Sequence, residues 1–123
     1  VSDTIPEDAD FTETIFMHPT ILFRYSAIGF VGHRIHYDYP YTKNEENYPD
    51  LIVHGPLQAT FLLRAAEKLK GKTVTSFNHK VMAPVFANSD YIIGAKENTD
   101  GSVSCWGAVK GSGMTMQAEA YFE

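Results

Sequence analysis

The chain has one cysteine, Cys105, in 123 residues, which excludes an internal disulfide and any zinc site built from a Cys pair. Such usage suits a reducing compartment, and the cytoplasm, or the mitochondrial matrix in a eukaryote, is the expected one. No apolar run approaches the roughly 20 residues that a membrane-spanning helix requires, so no membrane span is expected. Lysine and arginine are missing from residues 1–20, which hold five acids: Asp3, Glu7, Asp8, Asp10 and Glu13. Without a basic start a cleavable signal is not expected there. This stretch reads as a solvated acidic arm or the end of a linker, with the folded domain at 21–123. The remainder carries ten acids and ten bases, so the net charge of −5 belongs to the arm. A basic stripe for nucleic acid is therefore lacking. A chain of this length supports one domain with one sizeable core.

What is present has a simple order. "ILFRYSA" (21–27) alternates, with Ile21, Phe23 and Tyr25 on one side, and is expected as a strand. Residues 28–50 lack sustained periodicity and form a long excursion, of the kind that is usually functional. One short helix is expected within it, with Asp38 as N-cap and Pro40 in the first turn. "HGPLQATFLLRAAEKLKG" (54–71) is the principal helix, with Gly55 as the expected N-cap, Pro56 at the first helical position and Gly71 at the end. Thr60, Arg64, Glu67 and Lys68 share one narrow face, leaving an apolar arc of roughly 200°. A helix lying on a flat sheet needs only about half of that, so this one should be wrapped. Gln58 is the polar exception on the buried arc.

Four further strands are expected: 73–83, 89–97, 103–111 and 114–122. Asp100-Gly101 makes the hairpin turn between the second and third. In the last strand Met114, Met116, Ala118, Ala120 and Phe122 should point inward, and Thr115, Gln117, Glu119 and Tyr121 outward. Together these elements imply an α+β chain: an antiparallel sheet of five to six strands wrapped around one central helix, the hot-dog architecture.

Two places carry candidate chemistry. At "LIVHGPL" (51–57) an apolar segment runs into a buried helix start, where the first N–H groups lack intrahelical partners and the macrodipole is positive. Gly55 has no side chain to stop a ligand approaching its backbone. A carbonyl oxygen gaining negative charge would be held well there. The plainer reading is that Gly55 only shapes the helix end. In "GFVGHRIHYD" (29–38), His33 and His36 lie three apart. His33, His36, Asp38 and His54 invite a metal reading. Yet Gly29, Gly32 and the strand-like flanks oppose a helix that would put His33 and His36 on one side, so no metal is expected. General acid–base work suits an imidazole near neutral pH better. The alternative is a histidine merely packed against nearby backbone.

The combination "GHRIHYD…NYPDLIVHGPLQA" resembles the MaoC-like dehydratase and (R)-specific enoyl-CoA hydratase family. It is most similar to the branch of fatty-acid-synthase-type hydroxyacyl-thioester dehydratases, which also carry "FRYSA" ahead of these motifs. The likeness covers residues 20–70 by motif and the later strands by pattern. It implies a hot-dog fold and reversible hydration of 2-enoyl thioesters, or dehydration of 3-hydroxyacyl thioesters. No cofactor is implied beyond the coenzyme A or carrier protein that is part of the substrate. By the same resemblance His36 matches the catalytic histidine, Asp38 the aspartate two positions on, and Gly55 the glycine whose N–H holds the thioester carbonyl. His33 stands at the family's asparagine position. Val31 falls where the family has its catalytic aspartate, or asparagine in the nearest branch, and a valine can neither orient water nor stabilise an imidazolium.

Two readings follow from Val31. Either His36 works alone or with His33, water being held by backbone or by Gln58, or the chain is the non-catalytic half of a two-unit enzyme. A hot-dog thioesterase would instead need a carboxylate near the helix start, where Asp50 is the one candidate. His54, Gln58, Val31 and Arg34 are the candidate substrate contacts, with Arg24 and Arg64 as further options for carrier phosphates. A homodimer, or pairing with a second hot-dog unit, is the expected assembly.

Overall fold

The computed structural model describes residues 5–123; the first residues of the expected acidic arm, 1–4, lie outside the described residues. Five strands form one antiparallel sheet: β1 (Phe11–Phe16), β2 (Ser76–Val81), β3 (Asp90–Glu97), β4 (Val103–Val109) and β5 (Gly113–Tyr121). Their spatial order is β1-β3-β4-β5-β2. Three helices interrupt them: α1 (Pro19–Ile28), α2 (Tyr39–Asn44) and α3 (Gly55–Lys70), with one 3₁₀ turn at Arg34–His36. The hot-dog arrangement expected from the sequence is the one observed.

α3 lies against β3, β4 and β5. Leu57, Leu62, Ala65 and Ala66 are buried, while Pro56, Thr60, Arg64 and Lys68, spaced four apart, form the single exposed stripe. Four-residue spacing keeps that stripe on one side of the helix, and the wide apolar arc meets the curved sheet. Leu62 is fully buried, and removing such a side chain from water contributes about 1.5–3 kcal/mol. The helix begins with His54, not Gly55, as N-cap, because Gly55 already has helical geometry; it ends at Gly71, whose φ of 70° reverses the chain.

Three other expectations are corrected. "ILFRYSA" is helical, inside α1, not a strand. Pro19 opens the helix and the His18 Nδ1 accepts from the Thr20 N–H at 3.2 Å. Leu22 and Ser26, four apart, are its buried face, whereas Phe23 is 61% exposed. The alternation was coincidental with a helical spacing that the tertiary contacts selected.

The segment taken for an arm supplies the edge strand β1 from residue 11, paired with β3 from Phe11–Ala95 to Phe16–Asp90. Its Phe11 and Ile15 pack on the core, and the acidic residues around them had masked that pattern. Finally, the pairing of β4 with β5 slips at Gly107/Ala108, where Ala108 faces Met114 and Gly107 faces Met116. Thr115 is the extra residue of this bulge. It turns Met114 to the outer face beside Trp106 and Ala108, and leaves Thr115 itself 2% exposed. A bulge resets the two-residue alternation.

Candidate active site

Residues 51–53 run extended beside 85–87. The Val53 N–H donates to the Val85 carbonyl and the Ala87 N–H to the Leu51 carbonyl, both at 2.8 Å. The 3₁₀ turn of the long excursion docks on the same segment, the Ile52 N–H donating to the Ile35 carbonyl at 2.9 Å. The His36 Nδ1 then lies 2.6 Å from the Ile52 carbonyl. A carbonyl only accepts, so Nδ1 carries the hydrogen and Nε2 is left with its lone pair. This is the tautomer that a general base requires.

The His36 ring lines a cleft of about 460 Å³ together with Tyr48, Gly55, Gln58, Met82 and Pro84. Burial moves its pKa below the ordinary histidine value, the Ile52 carbonyl opposes that, and His33 adds to it. His36 is therefore neutral near pH 7 and able to accept a proton.

Gly55 opens α3 at the wall of this cleft, and a Cβ placed there would meet nothing within 4 Å. Its N–H belongs to the first turn and has no intrahelical acceptor. Pro56 next to it has no N–H at all. Gly55 and His36 thus border the same cleft, and no side chain stands on the glycine.

Gln58, one turn further along α3, also lines the cleft while being 2% exposed. Its Oε1 accepts from the Tyr91 hydroxyl and from the Thr115 hydroxyl, each at 3.3 Å. The room for Tyr91 comes from Gly107, where a Cβ would lie 1.9 Å from the Tyr91 oxygen. Bulge, glycine and tyrosine together fix a carboxamide at the cleft wall.

Behind His36 sits His54, 2% exposed, its ring stacked on that of His36 with centroids 3.8 Å apart and planes 19° apart. The His54 Nε2 is 2.7 Å from the Ser26 Oγ. Burial, with His36 adding to it, pushes the His54 pKa down to about 4. His33 stands edge-on to His36 at 5.7 Å between centroids and is solvent-exposed.

The remaining expected residues lie elsewhere. Asp38 caps α2 through the Tyr41 N–H and pairs with Arg34 at 2.9 Å. Arg34 also covers the Tyr41 ring at 4.0 Å. Neither lines the His36 cleft. Val31 faces a separate hollow of about 160 Å³ shared with Phe23, Ser26 and Tyr37. Asp50 is occupied by the Leu51 N–H at 2.7 Å and by the Asn88 amide at 3.1 Å. Arg24 and Arg64 are exposed. Among the described residues no three His, Cys, Asp or Glu side chains are grouped as metal ligands.

The structure thus brings His36, Gly55 and Gln58 to one cleft and flanks His36 with His33 and His54. Sequence reasoning missed Ser26, Tyr91 and Thr115. Ser26 lay in a segment read with the wrong period, and Thr115 was on the wrong face until the bulge reversed it. Tyr91 had no local signal.

Comparison with known proteins adds four findings. The family model described as hydroxyacyl-thioester dehydratase type 2 matches residues 2–87. The mesaconyl-C(4)-CoA hydratase of Chloroflexus aurantiacus is 42% identical over 89 residues, covering 72% of this chain and 32% of that protein. The mitochondrial hydroxyacyl-thioester dehydratase type 2 of Schizosaccharomyces pombe is 36% identical over 91 residues, covering 71% of this chain and 29% of that one. The chain therefore spans about a third of the length of these relatives. Among solved structures, the (R)-hydratase from A. caviae involved in PHA biosynthesis superposes with a TM-score of 0.78 over 94% of both chains, at 15% identity. That likeness concerns the fold.

Proposed function

The chain belongs to the hydroxyacyl-thioester dehydratase type 2 family, and from that premise we propose that its cleft adds water reversibly to 2-enoyl thioesters. The observation that carries this reading is the cleft shared by His36, whose Nδ1 is held by the Ile52 carbonyl so that Nε2 keeps its lone pair, and Gly55, the side-chain-free start of α3. In the hydration direction Nε2 takes a proton from water as the oxygen bonds to C3. The electron pair of the C2–C3 double bond shifts toward the carbonyl, and the enolate-like charge collects on the thioester oxygen. The Gly55 N–H and the helix dipole meet that charge. The protonated His36 then delivers a proton to C2. Dehydration reverses each step. Nothing in this sequence of steps calls for a metal or a redox cofactor, and coenzyme A or a carrier protein enters as part of the substrate. Gln58 is the polar side chain best disposed to hold the water, since Val31 and Asp38 do not line this cleft.

Val31 favours a second reading. Another hot-dog unit would carry the polar partner that Val31 lacks, and this unit would complete the acyl site. The exposed edge strand β2, which ends at the cleft residues Val81 and Met82, suits pairing with such a unit, or with a second copy. The compartment would be the cytoplasm, or the mitochondrial matrix, the S. pombe relative being mitochondrial. Thioester hydrolysis has less support, because Asp50 is engaged away from the cleft.

The test is an assay of the full-length protein with short 2-enoyl-CoA, following loss of the conjugated double bond and release of free thiol separately. Hydration removes the first without the second; thiol release would transfer the chain to the thioesterases. His36→Ala should lower hydration by about 10²–10⁴-fold with little change in the thermal melt. Unaltered turnover in that variant would remove His36 from the mechanism.

A further inference from the structure

His54 is the buried titratable group that the reaction scheme leaves unused. It is 2% exposed, and its Nδ1 has no hydrogen-bond partner among the described residues. Its other nitrogen meets the Ser26 hydroxyl at 2.7 Å. The groups around it are the His36 ring at 3.8 Å, the Tyr25 ring at 4.7 Å, and Ser26. Around His36 stand His33, Tyr48 and the Ile52 carbonyl. The charged pair of the same turn, Arg34 and Asp38, is satisfied within itself. No carboxylate pairs with either ring among the described residues, so a charge on His54 would be buried without a counter-ion, which is costly.

A neutral imidazole has one donor and one acceptor nitrogen. A buried N–H stranded without an acceptor is rarer than a buried acceptor left bare. The arrangement of least cost therefore puts the hydrogen on Nε2, donating to the Ser26 Oγ, and leaves Nδ1 bare. Ser26 can take this role only because α1 is a helix that turns residues 22 and 26 inward.

We propose that His54 is a positioning residue for His36: kept neutral and locked in one tautomer by Ser26, it presents its ring face to His36 as that ring gains and loses the proton of the reaction. A cation over an aromatic face is attracted by it, so the stack favours the proton on His36. A second proton on His54 would set two like charges face to face at 3.8 Å. The pair consequently takes up no more than one added proton, and takes it on the ring that lines the cleft. The stack also fixes the plane of His36, which the Ile52 carbonyl alone leaves free to tilt. The use of the proton rests on the hydration reading above; the state of the two rings does not.

The deciding experiment is an NMR titration of the full-length protein with isotope-labelled histidines, resonances being assigned with His36→Ala, alongside the pH profile of turnover. His36 should titrate as a single proton below the ordinary histidine value of 6.5. His54 should remain neutral as the Nε2–H tautomer down to about pH 4. In Ser26→Ala the His54 tautomers should mix, kcat should fall about tenfold with KM little changed, and the acid limb of the kcat/KM profile should move. Ser26→Thr, which keeps the hydroxyl, should restore both. An unperturbed His54 titration in the wild-type protein, or unchanged tautomer and kcat in Ser26→Ala, would overturn the assignment. Absence of any hydration by the wild-type protein would overturn the reaction instead, and the titration would still decide the state of the rings.

Discussion

α3 with its sheet and the excursion from α1 to residue 50 treat apolar surface in opposite ways. Around α3 the chain covers its own large side chains: Leu62, Tyr91, Ile93 and Met116 are all 0–1% exposed. Along the excursion it does not: Phe23 is 61%, Ile28 81% and Phe30 95% exposed. Phe30 also has a φ of 54°, a backbone region that a bulky residue rarely adopts. One region is a finished core. The other, which delivers His36 to the cleft, leaves three large apolar side chains in water. The difference teaches that site and self-sufficient core are separate constructions joined at residues 51–55. It also supports the reading that a second unit completes the side of the molecule where Val31 lies.

This contrast can be attacked from either side. The largest effect belongs to the core, where Leu62→Ala should cost about 2–5 kcal/mol of unfolding free energy by denaturant titration. A loss under 1 kcal/mol would mean that the helix is not held by its apolar arc.

Acidification should act through the histidine pair instead. Above pH 6.5 His54 is neutral whether the chain is folded or not, and contributes nothing to the pH dependence. Between 6.5 and about 4 the unfolded chain binds a proton that the folded one refuses. Stability therefore falls as pH falls through this window, by up to about 1.4 kcal/mol per pH unit for one proton, and levels off below it. The lowered pKa of His36 acts in the same direction. Asp38 and Asp100 are held below the usual carboxylate range by Arg34 and by Ser102, so their losses begin only at more acid pH. Melts from pH 7 to 4 of wild type and His54→Gln check this, since an equal slope in the variant would acquit His54.

The smallest change in stability is expected on the rim. Phe30→Ser should move the melt by no more than about 0.5 kcal/mol, yet weaken self-association or pairing measured by sedimentation. Unchanged association would take Phe30 out of the interface.

Much of this was legible beforehand where local chemistry and tertiary demand agree. The span of α3 could be read because Pro56, Gly71 and a wide apolar arc each say helix independently. Asp38 could be read as a cap because its carboxylate reaches an N–H three residues away. The pairing of His36 with Gly55 was expected from two spaced motifs, and the cleft contains both. Where local signals were ambiguous the reading failed. "ILFRYSA" satisfies a period of two or of nearly four, and β1 hid its apolar side among acids.

The amino-acid sequence alone determined the central helix, the four strands that follow it and the family to which the chain is similar, because those depend on hydrophobic period, turn chemistry and motif spacing. Only the tertiary structure decided that Ser26 holds His54, that His54 stacks on His36, and that Thr115 and Tyr91 hold Gln58. Those contacts join residues 18 to 57 positions apart. Chain crossings and one bulge bring them together, and neither leaves a mark on the residues nearby.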